Sequence, residues 1–287
     1  MNLEKPKFWD RKKPNLISFL LRPISIFPSI ISNINFRKEK IRGIKTICVG
    51  NIYLGGTGKT PLCITINNIL KKSGYKSTFV KKFYSNQKDE QNLLKKYGNL
   101  ILKKERKNAL NLAKSKKFDF AICDDGLQDR NIDYDLKIVC FNFDKFLGNG
   151  QIIPAGPLRE KIENLKKYDL AIINGNGEKI NKIEKILKKY NKNIKIFQGI
   201  YKLDKNLKKI NNKKFIAFSG IGNNETFIKT LKKNKFKIIK IFSFPDHYKY
   251  KNLEILKLKR EARLNNCEII TTEKDILRLS KKNQKNI

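Results

Sequence analysis

The sequence predicts an α/β fold in which a mostly parallel sheet carries helices on both faces, and three observations predict it. Short, nearly continuous apolar runs recur along the 287 residues, amphipathic stretches separate them, and a glycine-rich turn follows the first run. A strand covered on both faces is apolar at nearly every position, the pattern of parallel strands joined by crossover helices.

The first elements differ from the rest. Leu16–Ser32 (LISFLLRPISIFPSIIS) is an apolar run interrupted by Arg22, Pro23 and Pro28. A spanning helix needs roughly 20 apolar residues, and proline breaks helices, so the run is too short and too interrupted to cross a bilayer comfortably. It also lacks the small-residue cleavage site of a signal peptide. Residues 1–45 hold 11 basic and 3 acidic side chains, and Phe8 and Trp9 add interfacial aromatics. We therefore read residues 1–40 as a membrane-associated segment lying in the interface.

From Ile44 onward the apolar runs are Ile44–Val49, Thr78–Val80, Phe118–Cys123, Ile138–Phe143, Leu170–Ile173, Ile194–Phe197, Phe215–Phe218, Ile238–Phe242 and Glu268–Ile270. Between the first two, Leu62, Cys63, Ile66, Ile69 and Leu70 fall on one helical face. The polar stretch Lys202–Lys214 marks a boundary, giving a nucleotide-binding core over 41–205 and a smaller α/β domain over 206–287. The tail from Lys281 is polar and predicted to fray.

Composition narrows the function. The formal charge is +38, yet only 10 of the 64 basic residues are Arg, and Lys is spread over the whole chain. Nucleic-acid readers concentrate Arg and aromatics in a patch, so no nucleic-acid partner is expected. The diffuse field suits ATP, phosphorylated lipids and anionic membranes. Five scattered cysteines without a C-x-x-C pair, and a single His, read as reduced core thiols.

The strongest chemical signal is CVGNIYLGGTGKTPL, Cys48 to Leu62. A strand, a glycine-rich loop (Gly55, Gly56, Thr57, Gly58) and a helix start form a phosphate loop, whose backbone N–H groups surround phosphates. Lys59 would hold the β/γ-phosphates and the Thr60 hydroxyl Mg²⁺, while Pro61 is tolerated in a first helical turn. The strict pattern asks for Gly where this chain has Tyr53, leaving Gly55, Gly56 and Gly58 to supply the freedom. Phe118–Cys123 runs into Asp124-Asp125-Gly126, acids at the carboxyl end of a strand, where a nucleotide-bound Mg²⁺ finds its partner. An ordinary Asp-Gly turn is the alternative.

VGNIYLGGTGKTP, DDGLQ, GNGQIIPAGPLRE, FSGIGN, FPDHY and TTEKD occur in the order found in lipid A 4'-kinases. From about Phe8 to about Leu279 the chain resembles the tetraacyldisaccharide 4'-kinase family. The resemblance implies transfer of the ATP γ-phosphate to the 4'-hydroxyl of a lipid A disaccharide 1-phosphate, with ATP and Mg²⁺. It also implies a place on the cytoplasmic face of the bacterial inner membrane, peripheral or monotopic. By the same resemblance Lys59 and Thr60 fall in the Walker A site, Asp124 and Asp125 on the acidic pair, and Gln128 just after it. Glu160 falls near metal and nucleotide, Arg106 matches an active-site Arg, and His247 matches the catalytic His. Asp89 aligns with the Asp of the family's GDEP stretch, general base together with that His. A proton acceptor of this kind is what a sugar hydroxyl needs.

The chain departs from the family pattern at Asp129, where His is usual, and at KKFYS (Lys81 to Ser85), where SRGYG is usual. The loop before Asp89 is shortened, and the chain stops soon after TTEKD. A phosphate-loop ATPase of the partition or nitrogenase-iron-protein kind is the competing reading. Those proteins carry Lys immediately before the Gly pair, where this chain has Leu54.

Overall fold

Every pair of strands among the described residues is parallel, as the apolar runs require. The computed structural model describes residues 5–33, 38–85, 87–175, 177, 179–202, 213–285 and 287, with side chains of 27–33 left aside. It divides into two compact units, Leu3–Phe83 with Tyr97–Ile200, and Tyr84–Lys96 with Tyr201–Ile287. Of the stretch Lys202–Lys214, residues 203–212 lie outside the described residues.

The first unit holds β1 (Lys45–Gly50), β2 (Ser77–Lys82), β3 (Leu100–Lys103), β4 (Phe120–Asp124), β5 (Leu136–Asn142), β6 (Leu170–Asn174) and β7 (Lys195–Gly199). Their order is β3-β2-β4-β1-β5-β6-β7. The helices of the chain begin with α1 (Leu16–Asn33), α2 (Lys59–Lys72), α3 (Lys88–Tyr97), α4 (Arg106–Ser115) and α5 (Ile180–Tyr190). Two apolar clusters form the core. One joins Val80, Ala121 and Cys123 of the sheet to Ala109, Leu110 and Ala113 of α4. The other joins Val139, Phe141, Ala171 and Ile173 to Ile183 and Leu187 of α5, an i, i+4 pair on one helix face. Full burial of a side chain such as Leu110 contributes about 1.5–3 kcal/mol.

Nine strands coincide with apolar runs; β3 (LILK) falls on none of them, its short apolar stretch passing straight into lysines. The buried face of α2 also differs from the expected one. Cys63 and Asn67 are buried while Ile69 is 58% exposed. Asn67 tolerates burial because it accepts from Ser77 Oγ (2.8 Å) and donates to the Tyr97 carbonyl (3.2 Å).

Helix α1 is continuous through Pro23, where sequence reading expects a break. Pro23 forfeits its own N–H bond and crowds the carbonyl four residues back, a cost that this helix carries without ending. No helix among the described residues is long and apolar enough to cross a membrane. Trp9, expected at an interface, is instead 7% exposed, and its Nε1–H donates to the Pro154 carbonyl at 3.0 Å. All five cysteines are free, and burial pushes the thiols of Cys123 and Cys140 up to about 12.

The second unit has a sheet of β8 (Lys214–Ser219), β9 (Lys237–Ser243) and β10 (Glu268–Thr271) in the order β10-β8-β9. Its later helices are α6 (Asn224–Lys233), α7 (Asn252–Leu264), α8 (Glu273–Ile276) and α9 (Lys281–Gln284). Alternate residues of β8 face opposite ways, the period-2 rule of strands. Ile216 and Phe218 pack with Ile255 and Leu258 of α7, whereas Phe215 and Ala217 pack with Leu231 of α6. The tail is ordered into α9 because the Ser280 side chain accepts from Asn283 N, and Asn283 donates to Asn252 (2.9 Å). Helix α3, inside the stretch read as nucleotide-binding core, belongs largely to this second unit.

Candidate active site

β1 ends at Gly50 and α2 starts at Lys59, so the predicted phosphate loop occupies the turn between them. Gly55 and Gly58 sit at φ 141° and 85°, backbone that residues with a side chain rarely adopt. Tyr53, in the place of the first expected Gly, bridges Leu158 of PAGPLRE and is 2% exposed. Leu54 N and Arg159 N donate across this bridge to the Pro157 and Ile52 carbonyls, both at 2.7 Å. An extended bridge needs no glycine, which explains the departure. Asn51, which the sequence did not single out, ties the loop from inside. Its Nδ2 donates to Tyr53 O (2.6 Å), Gly55 O (3.2 Å) and Thr57 Oγ1 (3.0 Å), and its Oδ1 is buried without a partner. Asn174 Nδ2 holds the Thr57 carbonyl at 2.6 Å. Gly58, the residue before α2, has no side chain with which to cap the first-turn N–H groups.

The acidic pair follows on the neighbouring strand, where Val49 pairs with Asp124. Asp124 is fully buried, with Oδ2 3.4 Å from Thr60 Oγ1 and 2.7 Å from Lys81 Nζ. Asp125 takes a left-handed φ of 56°. Its Oδ1 lies 2.8 Å from Arg159 Nη1 and 3.6 Å from Lys59 Nζ. Burial opposes its ionisation, but the charges of Lys59 and Arg159 prevail and hold its carboxyl below the usual range.

Arg106 is 4% exposed and lies beneath this pair. It donates to the Asp124 and Asp125 carbonyls at 3.2 and 3.0 Å, and to Asp129 Oδ2 at 2.9 Å. The acid at position 129 is thereby neutralised, with Lys82 3.5 Å away. Glu160 is buried and fully engaged: Gln128 (2.9 Å), Tyr168 (2.5 Å) and Asn164 (2.9 Å) donate to its two oxygens. Burial, then the Glu160 charge, pushes the Tyr168 hydroxyl well up, so it stays a donor. Gln128 also donates to the Asn51 carbonyl at 2.9 Å, joining Glu160 to the loop.

In the second unit α3 and the FPDHY loop bring together two residues 158 positions apart. His247 Nδ1 lies 3.1 Å from both carboxylate oxygens of Asp89. A carboxylate only accepts, so Nδ1 carries the proton towards Asp89, while Nε2 lies 3.7 Å from Glu90 Oε1 and 3.8 Å from Asp246 Oδ2. His247 sits at φ 57°, a left-handed conformation that costs roughly 1 kcal/mol or more. Arg278 grips Asp89 Oδ2 through Nη2 and through Nε (2.8 Å), and Lys274 lies 3.6 Å away. Burial raises the Asp89 carboxyl, but the His247 hydrogen bond and the two cations outweigh it and hold it far below the usual range.

The family model for LpxK, tetraacyldisaccharide-1-P 4'-kinase, matches residues 16–287. The chain belongs to the tetraacyldisaccharide-1-P 4'-kinase family. It is 49% identical to the tetraacyldisaccharide 4'-kinase of Pelagibacter ubique, a match covering 100% of this chain and 92% of that one. Against the Rickettsia bellii protein of the same name it is 36% identical, over 96% and 89% of the two chains. The crystal structure of LpxK from Aquifex aeolicus in complex with ATP superposes with a TM-score of 0.68. That match covers 93% of this chain and 91% of that one at 22% identity, and it shows the shared fold.

For this kinase family the loop residues, Lys59, Thr60, Asp124, Asp125, Arg106, Gln128 and Glu160 fall in one unit, and Asp89 and His247 in the other. Thr60 and Asp124 would offer two hard oxygens, of the kind Mg²⁺ takes. No group of three or more His, Cys, Asp or Glu among the described residues forms a protein cage for a metal. Asn51, Arg159, Lys81 and Arg278 escaped sequence reading. The first three stand inside or beside quoted motifs, but nothing in their spacing tells which atoms they reach.

Proposed function

We infer that this chain transfers the γ-phosphoryl group of ATP to the 4'-hydroxyl of tetraacyldisaccharide 1-phosphate, with Mg²⁺. What carries the reading is the uncapped glycine loop opening on Lys59 and Thr60, in a chain 49% identical along its length to a tetraacyldisaccharide 4'-kinase. The loop amides and Lys59 bind and neutralise the phosphates. Thr60 and Asp124 would hold Mg²⁺, which when bound neutralises phosphate charge. Arg106 acts by positioning, since its guanidinium fixes the Asp124–Asp125 backbone. Glu160 and Gln128 likewise steady Asn51.

In the reaction the 4'-oxygen bonds to the γ-phosphorus, the bond to the bridging oxygen breaks with ADP as leaving group, and the hydroxyl proton passes to the Asp89–His247 pair. Sequence reading gives the base role to Asp89. A carboxylate gripped by Arg278 and Lys274 is a poor proton acceptor, so we assign acceptance to His247 Nε2 and orientation to Asp89.

The chain works at a membrane surface, on the cytoplasmic face of the inner membrane. Helix α1 supports this by being turned inside out. Leu16, Phe19, Leu20, Ile24 and Ile26 are exposed, while Ser18 and Ser25 are buried. Ser25 donates to the Ile152 carbonyl (2.9 Å) and Ser18 accepts from Asn149 (3.0 Å), so the polar stripe faces protein and the apolar one is free for lipid. Transfer of label from γ-labelled ATP to the lipid disaccharide tests the activity, and vesicle sedimentation tests the surface. Label found only in inorganic phosphate would refute the first, and equal sedimentation without residues 1–35 the second.

A further inference from the structure

Asp124 already has a cation, and the phosphoryl-transfer reading makes no use of it. Lys81 is the fifth residue of β2, beside β4 in the sheet, and the pairing of Val80 with Cys123 brings Lys81 and Asp124 next to each other. Its Nζ donates to Asp124 Oδ2 at 2.7 Å, with the lysine side chain 3% and the carboxylate 0% exposed. That same oxygen lies 3.4 Å from Thr60 Oγ1. The Cys63 thiol lies 3.9 Å from the other carboxylate oxygen. Lysine is almost never buried this deeply unless paired, and a carboxylate without solvent needs a compensating charge.

We propose that Lys81 is a resident counter-ion of Asp124, released only when nucleotide arrives with its metal. The proposal rests on Asp124 being the metal acid. A bare divalent cation meets a carboxylate that is neutralised, desolvated and closed to the water a small hard cation keeps. With nucleotide present, phosphate oxygens complete the ligand set and give the freed ammonium new anions. Lys81 thus couples metal binding to nucleotide binding, and the chain discriminates against metal alone.

The probe is Mn²⁺, followed by its spin resonance, with and without a non-hydrolysable ATP analogue. Lys81→Gln keeps a hydrogen-bond donor at Asp124 but removes the charge. It should bind Mn²⁺ alone at least about tenfold more tightly than the wild type, with a much smaller change when the analogue is present. Lys81→Arg, which keeps the charge, should not tighten binding. Equal or weaker Mn²⁺ affinity in Lys81→Gln overturns the proposal. Should Lys81→Gln be too unstable to titrate, the wild type carries the test. Mn²⁺ alone should leave its Tm unchanged at concentrations that raise it when the analogue is added. A rise with Mn²⁺ alone that Asp124→Asn abolishes overturns the proposal. If the analogue with Mn²⁺ fails to bind the wild type, the kinase reading falls too. If it binds and Lys81→Gln leaves the metal affinity untouched, only the counter-ion role falls.

Discussion

The phosphate-loop unit and the unit carrying Asp89 and His247 build their sites in opposite ways. In the first, the groups proposed to meet phosphate are backbone N–H groups of one continuous segment, Gly55 to Thr60, and the side chains of Asn51 and Asn174 brace that backbone. In the second, the working groups are side chains from segments 158 residues apart, and their geometry depends on ion pairs from α8 and the residues after it. The contrast teaches that a backbone site is written in local sequence, whereas a side-chain site is written in tertiary packing.

Four predictions break or sharpen this comparison. The largest effect is expected at Lys59→Ala, which should lower kcat by about 10³-fold or more with Tm nearly unchanged, since the backbone cradle survives. In the other unit His247→Ala should lower kcat about 10²–10⁴-fold. Asp89→Asn should cost less than His247→Ala, and the double variant little more than the worse single one. Additive losses in a double-mutant cycle would separate the two residues.

Third, Arg106→Met should cost about 3 kcal/mol of stability, because it strips Asp129 and two carbonyls of a buried donor. Denaturant melts measure it, and a loss under about 1 kcal/mol would remove Arg106 as the brace of the first unit. The fourth and smallest effect concerns pH. The Asp89 carboxyl is depressed on folding, so its ion pairs add stability that is fully present above the unfolded value of about 4. That stability is lost as pH falls through the lower folded value. The stability difference between wild type and Asp89→Asn should therefore shrink as pH drops below about 4. A constant difference down to the acid limit would mean the carboxylate is not held by charge.

The same contrast governs what sequence could reveal. Strands β1, β2, β4, β5 and β8 are visible because burial on both faces leaves apolar runs, and β6, β7, β9 and β10 because their apolar residues still stand together although they are less buried; β3 is a short run that passes straight into lysines. Cys48–Leu62 announced a phosphate loop because glycine positions dictate backbone. The replacement of the expected Gly by Tyr53 became intelligible only through its bridge to Leu158. Asp89 and His247 were singled out by family resemblance, and no spacing rule connects them. The pairing of Lys81 with Asp124 was out of reach, because a buried lysine and a solvated one look alike in a chain with 64 basic residues. Trp9 and Ile69 were misplaced because hydrophobicity says how much a residue gains from burial and not which neighbour covers it.

The central claim is tested most directly by incubating the purified chain with γ-labelled ATP, Mg²⁺ and the disaccharide 1-phosphate, beside the Lys59→Ala variant. Label should appear on the 4'-oxygen of the lipid with the wild type and be nearly absent with the variant. Label released as inorganic phosphate at the same rate with or without lipid would contradict the account.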